Sequence, residues 1–353
     1  MNVQQRTIYD SLYSAGFQLK RHTGDIGLEL ETETIKPYEP PAQKFWSNLR
    51  DNSLRDFGVE YILKAPTARG METRLALEEW DSKVRRQYPL KPDSYSTSVH
   101  VHLNFLNNTW RQMINFLVTY YLLENLLIRF SGPDRRSNLF CLPICDAEGE
   151  LEAIFSLVRI LGTYQYRKIA FNPELYKYSA MNICNISKLG TLESRSMRGV
   201  TDIKIINQWI DMLLAIKDFS ELQGMTPLRI LEVYEKEGPV RFAEGILGTA
   251  NIKIIDSIID KNKENISQLV EQNLWYAARI ATSAKFDDEN WGFPKPKKIY
   301  REKYNSRLEQ YSNDLFKKPY SALEYGMRIV VEESVLRELG SNRDNVIFQD
   351  GDI

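Results

Sequence analysis

Three carboxylates spaced two apart open the chemistry of this chain. In Gly27-Leu28-Glu29-Leu30-Glu31-Thr32-Glu33 an extended strand sends Glu29, Glu31 and Glu33 to one face and Leu28 and Leu30 to the other. Neighbouring charges in that row stand roughly 7 Å apart, two residues at about 3.3 Å each. Such a row repels itself, and a divalent cation is the economical partner for it.

Two of the chain's three histidines, His100 and His102, lie two apart on the polar side of a strand whose other side is Val99, Val101, Leu103 and Phe105. The plain reading is a solvent-facing strand with two ordinary histidines. The chemical reading makes neutral imidazoles into metal ligands or partners for phosphate oxygens. Glu60, after the turn at Asp56-Phe57-Gly58, would by itself be a solvated carboxylate, and only its company suggests more. In Thr191-Leu192-Glu193-Ser194-Arg195, Glu193 and Arg195 share a face. Alone they are a surface ion contact of little worth to stability; beside a metal they supply a ligand and an anion clamp.

The elements that must position these groups follow from periodicity. Ile26 to Ile35, Gly58 to Leu63, Val99 to Phe105, Tyr178 to Ile186 and Thr191 to Met197 read as strands. Helical spacing covers 8–14, 71–87, 110–130 and 150–161, and then dominates from Asp202 onward in 203–219, 226–237, 252–284, 303–315 and 321–339. The acidic tail, Asp344 to Ile353, is expected to be loose. Four strands with ionisable groups on one face and apolar ones on the other predict an antiparallel sheet with one side on helices and the other lining a cleft.

Composition narrows the functions. With 46 basic and 47 acidic residues in 353, the net charge is -1, which removes the electrostatic case for a nucleic-acid or anionic-membrane binder. At 43% hydrophobic the chain can bury a sizeable core. Three cysteines suit a reducing compartment better than a disulfide framework, and Cys141 and Cys145 lack the second pair of a zinc site. The N-terminus shows no signal peptide, and the apolar run from Met113 to Phe130 is broken by Asn115, Thr119, Glu124 and Asn125, so it reads as a buried helix. A cytoplasmic protein is the expectation. No Walker-type glycine loop is present, so phosphate would be held by metals and by arginines such as Arg195 and Arg198. No serine nucleophile elbow is present either, which disfavours a covalent acyl-enzyme.

In order along the chain, GLELET (27–32), DNSL and GVE (51–60), HVH (100–102), RRSNLFC (135–141), YSAMNI (178–183) and TLESR (191–195) resemble the amidoligases, or carboxylate-amine ligases, related to glutamine synthetase and glutamate-cysteine ligase. Each motif is short; the order over about 190 residues carries the resemblance. It implies an α+β fold, a glutamine-synthetase-like curved antiparallel sheet packed on helices, whose concave face binds ATP and two or three magnesium or manganese ions. It implies an ATP-dependent ligase that phosphorylates a small-molecule or peptide carboxylate and lets an amine displace the phosphate. Carried over, Glu29, Glu31, Glu60, Glu193 and one of His100 and His102 would be metal ligands, with His100 set down for the metal. His102, Arg136, Asn182 and Arg195 are the candidates for holding nucleotide or acyl substrate. Arg195 would touch the transferred phosphoryl group, with Arg198 near it, and Glu33 would accept the amine's proton or be the solvated end of the strand.

The expected organisation is a catalytic domain over 1–220 and a helical C-terminal extension over 221–353 packed on it, with oligomerisation open. Two alternatives use the same residues: a zinc hydrolase built on His100, His102 and a glutamate, and a non-catalytic binding protein on a degenerate ligase fold.

Overall fold

The computed structural model describes residues 6–50, 54–91, 96–132, 135, 138–162, 165–169, 178–259, 264–284, 297–339 and 346–349. The fold is α+β. It divides into two compact units, Thr7–Lys285 and Phe286–Ile353.

The larger unit is built on a six-stranded sheet in the order β2-β3-β1-β4-β6-β5, every neighbouring pair antiparallel. Its strands are β1 (Ile26–Thr32), β2 (Trp46–Arg50), β3 (Val59–Leu63), β4 (Ser98–Asn104), β5 (Met181–Asn182) and β6 (Thr191–Arg198). In β1 burial alternates residue by residue, with Ile26, Leu28, Leu30 and Thr32 buried and Gly27, Glu29 and Glu31 partly open. That period of two matches the leucine–glutamate alternation of the sequence.

Helices α1 (Ile8–Ser14), α2 (Met71–Trp80), α3 (Trp110–Ser131) and α4 (Glu148–Gly162) belong to the same unit. So do α5 (Ile203–Ser220), α6 (Pro227–Glu237), α7 (Pro239–Leu247), α8 (Thr249–Ile258), α9 (Ile266–Glu271) and α10 (Leu274–Ser283). The 22-residue α3 is its axis. Nearly every residue of α3 is buried, because β6 packs on it from one side and α5, α6, α8, α9 and α10 from others. A helix apolar all round is a core helix when other elements surround it, and the polar residues that interrupt its run have partners: Asn115 donates to the carbonyls of Ser220 and Met225. Thr109 and Gln112 start α3 with a reciprocal capping box, a device worth about 1 kcal/mol. Among the described residues no helix is long and apolar enough to cross a membrane.

Three elements differ from the expectation. The strand expected over 178–186 shortens to Met181–Asn182 and gives way to a 3-10 turn at Cys184–Ser187, because the Asn182 side-chain oxygen accepts the Cys184 amide, an Asx turn that competes with the ladder. The helix expected over 252–284 is three helices; Asn265 and Gln268 form a fresh capping box that restarts the chain. Edge strand β2, paired Trp46 to Leu63, has only Trp46 buried, so its sequence carries no clear alternation.

The smaller unit holds β7 (Lys297–Tyr300), α11 (Arg301–Phe316), α12 (Tyr325–Glu338) and β8 (Val346–Gln349). Leu308, Leu323, Val331 and Val335 form its core. Part of the tail expected to be loose, Val346–Gln349, pairs in parallel with Lys297–Tyr300.

Candidate active site

Register assembles the site from strands far apart in sequence. In the β1–β3 pairing Glu31 stands opposite Glu60; in β1–β4 Glu29 stands opposite His100 and Gly27 opposite His102. In β4–β6 His102 stands opposite Glu193, and in β5–β6 Asn182 stands opposite Glu193. The four central strands therefore place their ionisable groups on one face. Gly27 matters to this packing, since a Cβ there would lie 3.2 Å from the His102 Cβ, and its absence lets the imidazole lie close over β1.

Glu29 is the hub. Its Oε2 lies 2.9 Å from His100 Nδ1 and its Oε1 3.1 Å from His102 Nε2. Glu193 Oε1 approaches His100 Nδ1 at 3.5 Å and also accepts from Arg195. Its Oε2 accepts from Asn182 at 2.8 Å and Asn185 at 2.7 Å. Ser98 Oγ donates to Glu31 Oε2 at 2.5 Å and lies 2.7 Å from His100 Nε2. Thr191 Oγ1 meets His102 Nδ1 at 3.2 Å. Ligand atoms of Glu29, His102 and Glu193 lie within 4.8 Å of one another, as do those of Glu29, Glu60 and His100.

Charge is the tension here. Burial works against ionising Glu29, yet its hydrogen bonds to His100 and His102 outweigh burial and hold the carboxyl well below the usual carboxylate range. At Glu193 burial is again opposed, and outweighed, by Arg195 and the two imidazoles. His102 moves the other way: burial disfavours its proton, but the hydrogen bond to Glu29 and the charge of Glu193 raise it. Arg195, also against burial, is held more firmly protonated by Glu193.

The donor set fits divalent cations. Four carboxylates face two imidazoles and Arg195, an excess of negative charge. His100 turns both ring nitrogens toward oxygens, and a neutral imidazole has only one N–H to offer; a cation beside Nδ1, Glu29 and Glu193 would resolve that. Oxygen-rich sets with a minority of imidazole suit magnesium and manganese better than thiolate-loving ions. For an anionic substrate the observation is different. Arg195 Nε and Arg135 Nε are buried with no hydrogen-bond partner, so two guanidinium groups retain N–H capacity.

The remaining expected residues fall in other places. Glu33 is 2% exposed, not at a solvated strand end; its Oε1 accepts from the Arg55 amide at 2.7 Å and Ser96 Oγ at 2.5 Å. Arg198 donates to the carbonyls of Phe130 and Ser131 at the end of α3. A register shift between Val99 and Val101 inserts one extra residue of β6, which re-aims the strand between Arg195 and Arg198. Arg136 lies outside the described residues. Its neighbour Arg135, which the sequence reading did not single out, is buried and donates to the carbonyls of Thr97 and Met197. Ser98, Thr191 and Asn185 were missed as well. The first two could have been found by parity, each lying two residues before a candidate on the same strand face.

A family model described as "putative amidoligase enzyme" matches residues 41–217, half of the 353-residue chain. No curated protein matches the chain. The matched stretch contains Glu60, His100, His102, Asn182, Glu193 and Arg195 and leaves Glu29 and Glu31 outside. Geometry joins those two to it, since Glu29 bonds both histidines and Glu31 faces Glu60. The chain belongs to the amidoligase family.

Proposed function

We propose that this protein is an ATP-dependent carboxylate-amine ligase of glutamine-synthetase-like fold, forming an amide or peptide-like bond through an acyl phosphate. The observation that carries the reading is the sharing of Glu29 between two ligand groups, one with His102 and Glu193 and one with Glu60 and His100. A carboxylate common to two cation sites is what a face holding paired magnesium or manganese ions requires. When bound, such ions supply the positive charge that offsets charge on transferring phosphoryl oxygens.

A carboxylate resists amines because oxide is its leaving group. Transfer of the ATP γ-phosphoryl to it gives an acyl phosphate and ADP; attack by the amine then forms the C–N bond and expels phosphate, with one proton lost from nitrogen. Phosphoryl transfer asks the protein for alignment and charge neutralisation more than for covalent help. Glu29, Glu31, Glu60, Glu193, His100 and His102 would hold the cations. Arg195, with Arg135 behind it, would meet the phosphoryl oxygens. Asn182 and Asn185 hold Glu193 in place, and Ser98 does the same for Glu31. Glu33, already engaged by Arg55 and Ser96, we assign to anchoring the 54–56 loop on β1.

The test is phosphate release from ATP and magnesium with pooled amino acids and polyamines, with and without each amine class. Amine-dependent release is expected, lost in Glu29→Gln and Glu31→Gln, and lowered about 100-fold in Arg195→Lys, which removes a planar fork from the phosphate. Release that survives both glutamine variants sinks the ligase reading. Zinc in the purified protein without nucleotide binding moves the assignment to the hydrolase.

A further inference from the structure

Beside the carboxylate–imidazole face the same unit contains a cavity of about 540 Å³, whose walls include Leu142, Cys145, Asp146, Glu150, Tyr178 and Ser179. It belongs to the other side of the sheet edge. Asn182 turns to Glu193, whereas Ser179, three residues earlier, donates to Glu150 Oε2 at 3.1 Å; an odd spacing in extended chain sends side chains to opposite sides.

Glu150 is the unexplained group. It is 1% exposed, and its Oε1 is buried with no hydrogen-bond partner, an arrangement that costs free energy unless something else satisfies it. Burial pushes its carboxyl up to about 8, so a positive ligand is what would favour the charged form. A lone metal ion fits poorly. Among the described residues no three histidine, cysteine or carboxylate ligand atoms converge here within 4.8 Å, and the volume is that of a cleft for an organic molecule. The walls are mixed: Asp146 and Glu150 are acidic, while Leu142 and Tyr178 are apolar, with Phe140 edge-on to Tyr178 at 5.7 Å. Leu139 and Phe140 extend that apolar lip into solvent, 70% and 48% exposed.

We infer that this cavity binds a small aliphatic molecule bearing a primary ammonium group. The ammonium has three donors on one nitrogen, enough for the unpaired Glu150 oxygen and the Asp146 carboxylate together, and the aliphatic stem covers Leu142 and Tyr178. The site is separate from the cation face and does not depend on the ligase reading.

Cys145 gives a direct readout. It is exposed and lines the cavity, while the other two cysteines, Cys141 and Cys184, are buried. In the full chain at fixed pH and ionic strength, iodoacetamide alkylation of Cys145 is followed by mass spectrometry against increasing 1,4-diaminobutane. Saturable slowing is expected, retained in Glu29→Gln. The half-protecting concentration should rise about tenfold or more in Glu150→Gln and Asp146→Asn, as loss of a charge-assisted contact implies. If Glu150→Gln does not fold, Asp146→Asn at the exposed wall decides. Absence of protection overturns the inference, as does protection unchanged in the acidic-wall variants, protection matched by butanol or choline, or protection lost in Glu29→Gln.

Discussion

Glu29 stands directly opposite His100 across β1 and β4, and its Oε2 lies 2.9 Å from His100 Nδ1. Two residues separated by 71 positions thus form the centre of a six-group cluster. The pairing lets one carboxylate serve the imidazoles of both His100 and His102, since its other oxygen faces His102.

The first consequence is for metal affinity. Glu29→Gln keeps the shape but removes the charge common to both ligand groups, so manganese affinity, read by paramagnetic water relaxation, should fall at least about 100-fold. Loss of an outer partner alone costs about 10–100-fold. The circular dichroism spectrum should be unchanged. A retained affinity would show that the cations, if bound, sit elsewhere.

Ser98 tests the outer shell. Its hydroxyl links Glu31 to His100, so Ser98→Ala frees both to rotate. Metal affinity should drop about tenfold, and Ser98→Thr, which keeps the hydroxyl, should recover most of it. Equal loss in both variants would point to packing of β4 rather than to the hydrogen bond.

Gly27→Ala asks how tightly β1 and His102 approach. The added Cβ would lie 3.2 Å from the His102 Cβ, a distance that obliges the imidazole to shift by a few tenths of an ångström. Unfolding should change by about 1–3 kcal/mol, as for modest overpacking. The larger effect should be on metal binding, because His102 is displaced from Glu29. An alanine variant with unaltered metal binding would place His102 outside the cation sites.

Glu124 and Glu150 predict a pH dependence of stability. Burial pushes both carboxyls up to about 8 from an ordinary 4.5. Below pH 4.5 each is protonated in folded and unfolded chains alike, and its contribution is complete. Between 4.5 and about 8 the unfolded chain releases the proton that the folded chain keeps, so stability falls as pH rises, by up to about 1.4 kcal/mol per pH unit per group. Carboxyls held low, such as Asp81 against Arg85 and Arg86 despite burial, act in the opposite sense and lose their contribution as pH falls. Urea unfolding across this range should show a shallower alkaline decline in Glu124→Gln. An identical slope would remove Glu124 from the account.

Much of this was legible in the chain. Alternation is a local property, so Leu28-Glu29-Leu30-Glu31, Val99-His100-Val101-His102 and Leu192-Glu193 each declared a polar and an apolar strand face before any partner was known. The Asp202 switch to helical spacing was legible for the same reason. What alternation leaves open is register, which depends on pairing between segments far apart. Only the folded sheet decided that Glu31 meets Glu60 and that His102 meets Glu193.

The same limit explains the residues that moved. Glu33 continues the parity of Glu29 and Glu31, yet the approach of Arg55 and Ser96 buries it in a hydrogen-bonded corner. Arg198 reads as a partner of Arg195, but the register shift in β6 and the end of α3 turn it to main-chain carbonyls. By itself the sequence determined which side chains share a strand face, because covalent geometry sets a period of two. Tertiary structure decided which faces meet and which charges must share a cation, because that is set by long-range pairing and by burial.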